Sequence, residues 1–232
     1  MFGSSATFAV MVANFAHYFT TSLMQNFLPA YARDILALDL KSNGAFISVA
    51  FTCKLMSKYF LSFFADFLKS KKILSPSTSC RVFQGLASFG TVIVFALLAF
   101  YIDCTRPTAA LAVLALYGLF AGSAIPGFFT SSCSFAPMYT GMISSMMEGA
   151  GALGNLLSPA FVGYFVKNGR SSEWALVFCA VIFVNLVGGT VFLLFGTAKI
   201  QIWAKPALSI KRKVILEPSI TDSIKPNFKQ NV

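Results

Sequence analysis

The sequence is poor in charged residues. Asp, Glu, Lys and Arg make up only 11% of its 232 residues, whereas an average soluble domain has about 25%. The acidic residues are scarcest, with eight Asp and Glu against 18 Lys and Arg, and there is a single histidine. These shortages argue against a water-soluble domain, whose surface needs charged side chains.

Motifs for enzymatic chemistry are also missing. The sequence contains no nucleophile paired with a base, no metal-ligand helix and no phosphate-binding glycine loop. Its five cysteines show no CxxC spacing and have no histidine nearby, so we interpret them as small hydrophobic residues. We therefore expect neither an enzyme nor a bound cofactor.

The N-terminus lacks a basic stretch before its first apolar segment, so we expect this segment to be retained and not cleaved as a signal peptide.

Apolar residues dominate the chain. Hydrophobic residues account for 56% of it, 26 residues are Phe, and the mean hydropathy is +0.73. Stretches of about 20 apolar residues predict membrane-spanning helices. The fold class we predict is an all-α membrane protein, a bundle of six transmembrane helices followed by a basic, disordered cytosolic tail at 205–232. The predicted spans are about 7–31, 44–67, 82–101, 108–130, 139–166 and 174–197.

The formal net charge of +10 is explained by membrane topology better than by nucleic-acid binding. Binding to phosphates needs a basic face, whereas these cations occur in short clusters between apolar segments. Lys and Arg are enriched in cytosolic loops. Placing both termini in the cytosol puts eleven cations on that side, including Lys69, Lys71, Lys72 and Arg81, and five on the other. We predict this orientation; the plasma membrane and an intracellular vesicle both stay open.

Four ionisable residues lie within predicted spans, each about 13–15 Å from one end of its helix. A Lys or Glu at this depth costs on the order of 2.5–3.5 kcal/mol, so such residues face a cavity or each other. We predict that they line a substrate or ion pathway. The four residues are His17, Lys54, Lys58 and Glu148.

Structural alternatives exist for each of these residues. Lys54 and Glu148 can neutralise each other in a structural ion pair across the bundle. Lys58 can extend its ammonium group to the cytosolic interface, and His17 can be an ordinary packing residue. The many glycines of the fourth and fifth spans fit either close helix packing or flexing helices around a cavity.

An acid followed by bases ends the second span, in the stretch "ADFLKSKKILS" at 65–75. The lysines are expected to anchor this end in the anionic cytosolic leaflet. Asp66 is placed to pair with them and to cap the next helix. We predict a clasp that holds two spans together in one state and releases them in another, formed by Asp66, Lys69, Lys71 and Lys72.

Seven stretches together resemble solute carrier family 17, a branch of the major facilitator superfamily. They span about residues 7–204 and match the C-terminal half of that family in order and spacing. They are "LPAYARDIL" (28–36), "LKSNG" (40–44), "ADFLKSKKILS" (65–75), "APMYTG" (136–141), "VGYF" (162–165), "EWALVF" (173–178) and "FGTAKIQIWA" (195–204).

The resemblance implies secondary active transport of a small organic or inorganic anion, with Na⁺ or H⁺ as a coupling ion. It also implies that the clasp at Asp66 gates the cytosolic side. The sequence departs from the family pattern at Asn14, where many members have histidine and which we also predict to line the substrate or ion pathway, and at "HYFTTS" (17–22). The usual polar positions at the end of the fourth span are serines here, namely Ser131, Ser132 and Ser134.

A facilitator encloses its substrate between two six-helix halves, and the resemblance covers one of them. The expected partners are therefore a small anionic solute, the lipid bilayer, and a second transporter half or a second copy of this chain in a C₂ dimer. The alternative function is a membrane protein that does not transport, a truncated or partial gene product that at most associates with a full-length relative.

Overall fold

The computed structural model describes residues 4–37, 40–102 and 105–204. All long elements in these ranges are helices, as predicted, and each predicted span overlaps one helix or, for the fourth span, two helices joined by a π-helical segment. The predicted tail at 205–232 lies outside the described residues. The helices are α1 (Ser5–Asp34), α2 (Leu40–Ser70), α3 (Pro76–Phe100), α4 (Pro107–Gly122), α5 (Thr130–Phe135), α6 (Thr140–Phe165) and α7 (Ser171–Phe195).

Helices α4 and α5 are two parts of one interrupted helix. The π-helical segment Ile125–Phe129 joins them, and inside it Gly127 leaves helical geometry, with φ −81° and ψ −112°. The sequence explains the break, because Pro126 has no amide hydrogen to donate and glycine tolerates unusual backbone angles. The side chain of Gln84 replaces part of the lost helical bonding, since its Oε1 accepts the amide hydrogen of Phe128 at 3.2 Å.

Close helix packing depends on glycine at two places. At Gly122 an added Cβ would lie 1.9 Å from Ser57 Oγ of α2, and at Gly118 it would lie 2.6 Å from the carbonyl oxygen of Ala50. The same applies between α6 and α1, where a Cβ on Gly154 would lie 2.7 Å from the carbonyl oxygen of Phe15. Small residues of this kind let helix backbones approach within van der Waals distance.

The packing pairs α1 with α6 and α7, α2 with α4, and α3 with α4 and α7. A buried aromatic cluster lies between the helices at the level of the C-terminal end of α1. Its edge-to-face contacts have ring centroids 5.0 Å apart for Tyr31 and Phe178 and 5.3 Å apart for Phe95 and Phe178. Aromatic pairs favour this arrangement, which contributes on the order of 1 kcal/mol each beyond burial.

Three of the six long helical units are apolar enough throughout to cross a membrane by length and composition. They are Pro76–Phe100, Pro107–Phe135 and Ser171–Phe195. The other three, α1, α2 and α6, are equally long, but their apolar character is interrupted by polar and ionisable side chains. The fold thus combines three strongly apolar helical units with three that are richer in polar and ionisable side chains.

A short segment after α7, residues 196–204, folds back onto the bundle, and we call it the C-terminal strap. It is fixed to α3 by Arg81, whose Nε donates to the Gly196 carbonyl at 2.7 Å. It is fixed to α5 by Ser131, whose hydroxyl donates to the Thr197 carbonyl at 2.7 Å. Trp203 completes the contact, with its ring centroid 6.5 Å from that of Phe135.

Candidate functional site

Lys54 is the most deeply buried ionisable amine of the candidate site. It lies in the middle of α2, and only 6% of its surface is exposed. Its ammonium group donates a hydrogen bond of 3.0 Å to the hydroxyl oxygen of Thr21 in α1 and lies 5.9 Å from the ring centroid of Tyr117 in α4. The backbone of α2 reaches this position because Gly118 lets α4 approach it closely. A buried positive charge is therefore held by neutral groups.

The structural alternative for Lys54, an ion pair with Glu148, does not form. Glu148 is exposed on α6, and its Oε1 accepts a hydrogen bond of 3.4 Å from the Tyr18 hydroxyl. The ion pairs found among the described residues are Arg33 with Asp34 and Lys69 with Asp66. The structural alternative for Lys54 was therefore wrong, because the neutral side chains of α1 lie between the two helices that carry the charges.

Lys58 adds a second positive charge to the same region. It lies one helical turn beyond Lys54 on α2 and is partly buried. It is close enough to interact electrostatically with both Lys54 and His17. Like charges so close together, without an acidic partner, produce a local positive potential.

His17 stands next to this cationic region. Its ring is 5.9 Å from that of Tyr18 and 5.6 Å from that of Phe128, which belongs to the π-helical segment. It also lines a small polar cavity between α1, α3, α4 and α7. The structure therefore brings His17, Lys54 and Lys58 together. Glu148 joins them only indirectly, through Tyr18.

Asn14 has a different environment from the other predicted pathway residues. It is buried, with 1% of its surface exposed, and its Nδ2 donates to the carbonyl oxygen of Met147. A Cβ on Gly151 would lie 3.0 Å from the same amide nitrogen. In this structure Asn14 fastens α1 to α6, which is a packing contact and not an open surface.

The predicted clasp is only partly formed. The ammonium group of Lys69 lies 2.6 Å from Asp66 Oδ1, an i to i+3 pair at the end of α2. Lys71 lies 5.9 Å from the ring centroid of Phe67, and Lys72 adopts a left-handed turn with φ +57°. The expectation that Asp66 caps the next helix was wrong. Ser75 caps α3, because its side chain accepts the amide hydrogen of Thr78 and a hydroxyl at this position suits a helix that starts with proline.

Several residues of the site were not predicted. Thr21 and Tyr117 flank Lys54, Tyr18 binds Glu148, and Asn185 of α7 reaches Thr20. Uncharged hydroxyl and amide groups stand out little in an apolar sequence. One sequence pattern could have predicted a polar face on α1. It is the recurrence of polar residues at helical spacing, namely Asn14, Tyr18, Thr21 and Gln25.

The chain is similar to known membrane transporters. It is 36% identical over 192 residues to "Uncharacterized transporter slc-17.3" of Caenorhabditis elegans, covering 82% of this chain and 36% of the relative. It is 30% identical over 212 residues to mouse "Vesicular glutamate transporter 2", covering 91% and 36% respectively. It is 25% identical over 219 residues to a Drosophila melanogaster "Putative inorganic phosphate cotransporter", covering 93% and 41%.

No protein-family model matches the chain. Among solved structures, a POT family transporter in complex with a thioalcohol-conjugated peptide superposes with a TM-score of 0.66 at 15% identity. The match covers 94% of this chain and 46% of that transporter, and it shows the fold alone.

The chain thus spans little more than a third of the length of the first two relatives. Its similarity extends over most of its own residues, and the fold is that of major facilitator transporters. These relatives are transporters and not enzymes. Together with the six-helix bundle, this shows that the chain belongs to the solute carrier 17 family of membrane transporters.

Proposed function

We propose that this chain forms the C-terminal six-helix half of a secondary active transporter and that the transported solute is a small anion. In this proposal Lys54 attracts the anion. The relatives named for glutamate and for inorganic phosphate support an anionic solute. The similarity to about a third of each relative supports a function that needs a second six-helix half, supplied by another polypeptide segment or by a second copy of this chain.

One observation gives the strongest support to an anionic solute. The Lys54 ammonium group is buried, and its hydrogen-bond partner is the neutral hydroxyl of Thr21. A buried ammonium without an opposite charge is unfavourable by several kcal/mol. An anion within about 4 Å would restore about 1–4 kcal/mol at the effective dielectric of a hydrated cleft. Because Lys58 lies one turn away on α2, it would strengthen the same attraction.

The coupling ion is proposed to act at Glu148 or His17. Glu148 is exposed and accepts a hydrogen bond from Tyr18, so it can exchange a proton or attract Na⁺ on the open face of the bundle. His17 lies beside Lys54 and Lys58, so an anion held by the two lysines would also lie close to the imidazole ring. His17 lies next to the proposed anion position, and Glu148 is connected to it through Tyr18.

The gate is proposed to lie at the loop between α2 and α3. The pair between Lys69 and Asp66 is at the predicted cytosolic end of α2, where both side chains reach the surface. We place the termini in the cytosol, because this assigns the cluster of Lys69, Lys71 and Lys72 to the side where cations accumulate.

Uptake into proteoliposomes tests this proposal. The protein is reconstituted, and uptake of radiolabelled phosphate and glutamate is measured for the wild type, Lys54→Met and Lys54→Arg. We expect Lys54→Met to lose about tenfold or more in apparent affinity, which corresponds to about 1.4 kcal/mol. Lys54→Arg is the matched control, since it keeps the positive charge and should retain most of the affinity.

The alternative outcomes are distinct. Unchanged uptake in Lys54→Met removes Lys54 from the anion path. Absence of uptake from the wild type alone, with uptake restored by co-expression of the N-terminal six-helix half of a full-length relative, supports a half-transporter. Absence of uptake in both arrangements supports a membrane protein that does not transport.

A further inference from the structure

The small polar cavity between α1, α3, α4 and α7 adjoins the proposed anion site, because His17 and Thr21 contribute to its wall, but Lys54 and Lys58 do not line it. It has room for about one water molecule. Its wall is unusually polar for a space enclosed by apolar helices. The polar side chains in the wall come from His17, Thr20 and Thr21 of α1, Gln84, Ser88 and Thr91 of α3, Tyr117 of α4 and Asn185 of α7.

Most polar groups in this wall are already hydrogen-bonded. Asn185 Nδ2 donates to Thr20 Oγ1 at 2.8 Å, and Gln84 Nε2 donates to Ser88 Oγ at 3.0 Å. Asn185 Nδ2 also donates to the carbonyl oxygen of Val181 at 2.9 Å, one turn earlier in α7. These bonds fix the orientation of the side chains around the cavity.

The Tyr117 hydroxyl is the exception. Tyr117 has 1% of its surface exposed, and its hydroxyl has no hydrogen bond of normal geometry, although Thr21 lies close to it. A buried hydroxyl without a partner costs about 1–3 kcal/mol. Because Tyr117 lines the cavity, a molecule there with both donors and acceptors would satisfy the hydroxyl.

We propose that the cavity is a binding site for a single ordered water molecule. The water accepts from or donates to the Tyr117 hydroxyl and completes its bonding with two or three of the surrounding polar groups. Buried waters commonly make about three such bonds. This water connects the group formed by Lys54, Thr21 and Tyr117 with the group formed by Thr20 and Asn185, and so links α2 and α4 to α7 through α1.

Charge and size favour water over an ion. No acidic residue is found among the described residues that line the cavity, and the ammonium group of Lys54 lies 5.9 Å from the ring centroid of the adjoining Tyr117. A cation there would be repelled and would lack a carboxylate ligand. A phosphate or carboxylate ion is too large for a space that holds one water molecule. The proposal holds whatever solute the protein transports.

Radiolytic footprinting tests the site, since hydroxyl radicals formed from a bound water modify the side chains beside it. The measurement compares Tyr117 with Tyr31 in the wild-type protein. Tyr31 is the matched control, because it is also a tyrosine with only 2% exposure, but its hydroxyl already donates a hydrogen bond to the Leu98 carbonyl. We expect Tyr117 to be modified at least about fivefold faster than Tyr31. Equal, slow modification of the two would overturn the proposal.

A cavity-filling substitution gives the second measurement. Thr91→Ile places an extra carbon in the cavity wall and removes a hydroxyl, whereas Thr91→Ser keeps the hydroxyl and the space. We expect Thr91→Ile to reduce Tyr117 modification to the rate of Tyr31, and Thr91→Ser to leave it within about twofold of wild type. Modification that changes when choline replaces sodium in the buffer would assign the cavity to a cation and exclude the water.

Discussion

The ammonium group of Lys54 in α2 donates a hydrogen bond of 3.0 Å to the hydroxyl oxygen of Thr21 in α1. This contact joins two helices that otherwise touch little. Its acceptor is neutral, so the positive charge stays uncompensated, and the hydrogen bond orients the amine without neutralising it. A site of this kind can hold a lysine in place while leaving its charge available to an anion.

Replacement of Thr21 by valine should destabilise the protein through Lys54. Valine has almost the shape of threonine but cannot accept the ammonium hydrogen. Because hydrogen bonds to charged groups contribute about 1.5–3 kcal/mol in soluble proteins and less within membranes, we expect a loss of about 1–2 kcal/mol. This corresponds to a decrease in Tm of about 2–8 °C, measured by thermal unfolding in detergent.

Thr21→Ser keeps the hydroxyl and should unfold close to wild type. In the Lys54→Met background, Thr21→Val should have almost no effect, because the interaction is already gone. Equal decreases in Tm for Thr21→Val in both backgrounds would show that Thr21 stabilises the fold by packing alone.

Alanine at Gly122 should force α2 and α4 apart. The new Cβ would lie 1.9 Å from Ser57 Oγ and 2.9 Å from the Lys58 backbone nitrogen, so the backbone has to move. Overpacking of this kind costs about 1–3 kcal/mol. Gly163→Ala is the control, since nothing lies within 4 Å of its Cβ. It should be neutral or stabilising by up to about 1 kcal/mol from helix propensity. Similar Tm values for the two variants would contradict the close packing.

Loss of the Asp66–Lys69 pair should affect transport rate more than stability. The Asp66 side chain is 73% exposed, and exposed ion pairs contribute at most about 1 kcal/mol. If the pair gates the cytosolic side, Lys69→Met should slow uptake severalfold while Tm changes by less than about 4 °C. Lys71→Met is the control, because Lys71 contacts the Phe67 ring and not the carboxylate. Equal slowing by both variants would indicate a general role of the charges at the lipid surface.

Cysteine labelling tests the orientation. In a background without native cysteines, Lys72→Cys and Lys167→Cys place single thiols at exposed positions in loops at opposite ends of the bundle. With cytosolic termini, a membrane-impermeant maleimide added to intact cells should label Lys167→Cys but not Lys72→Cys when the protein is in the plasma membrane. Inside-out vesicles should show the reverse. Labelling of Lys72→Cys from the outside would invert the proposed topology.

The sequence was sufficient to predict the helices but not the site that they build. Long apolar stretches predict six helices whatever their neighbours are, and a Pro-Gly pair such as Pro126 and Gly127 is typical of a break in a helix. The partners of Lys54 were not predictable, because a threonine or tyrosine in an apolar helix satisfies its hydroxyl in many ways. Opposite charges made Glu148 the obvious partner, yet three-dimensional packing places Thr21 and Tyr117 around the amine. Only the packing of the helices determines which of these residues is the partner of Lys54.

The C-terminal strap should be held in place mainly by Trp203. The indole ring contacts Tyr139 at 5.9 Å and Phe135 at 6.5 Å between ring centroids, and the adjacent Gln201 amide donates to the Phe135 carbonyl at 2.9 Å. Trp203→Ala removes the aromatic contacts and should weaken docking of the strap by about 1–2 kcal/mol. The exposed Lys199 should then be cleaved by trypsin about 5–30 times faster, because cleavage follows the population of the open strap.

Ile202→Ala is the matched control for the strap, since Ile202 is the preceding residue and is 87% exposed. It should leave the rate of cleavage at Lys199 unchanged. Arg81→Met should act like Trp203→Ala, because it removes the 2.7 Å hydrogen bond to the Gly196 carbonyl. Cleavage of Trp203→Ala at the wild-type rate would mean that the backbone hydrogen bonds hold the strap without the indole. Rapid cleavage of Arg81→Met alone would then place the decisive contact at α3 and not at α5.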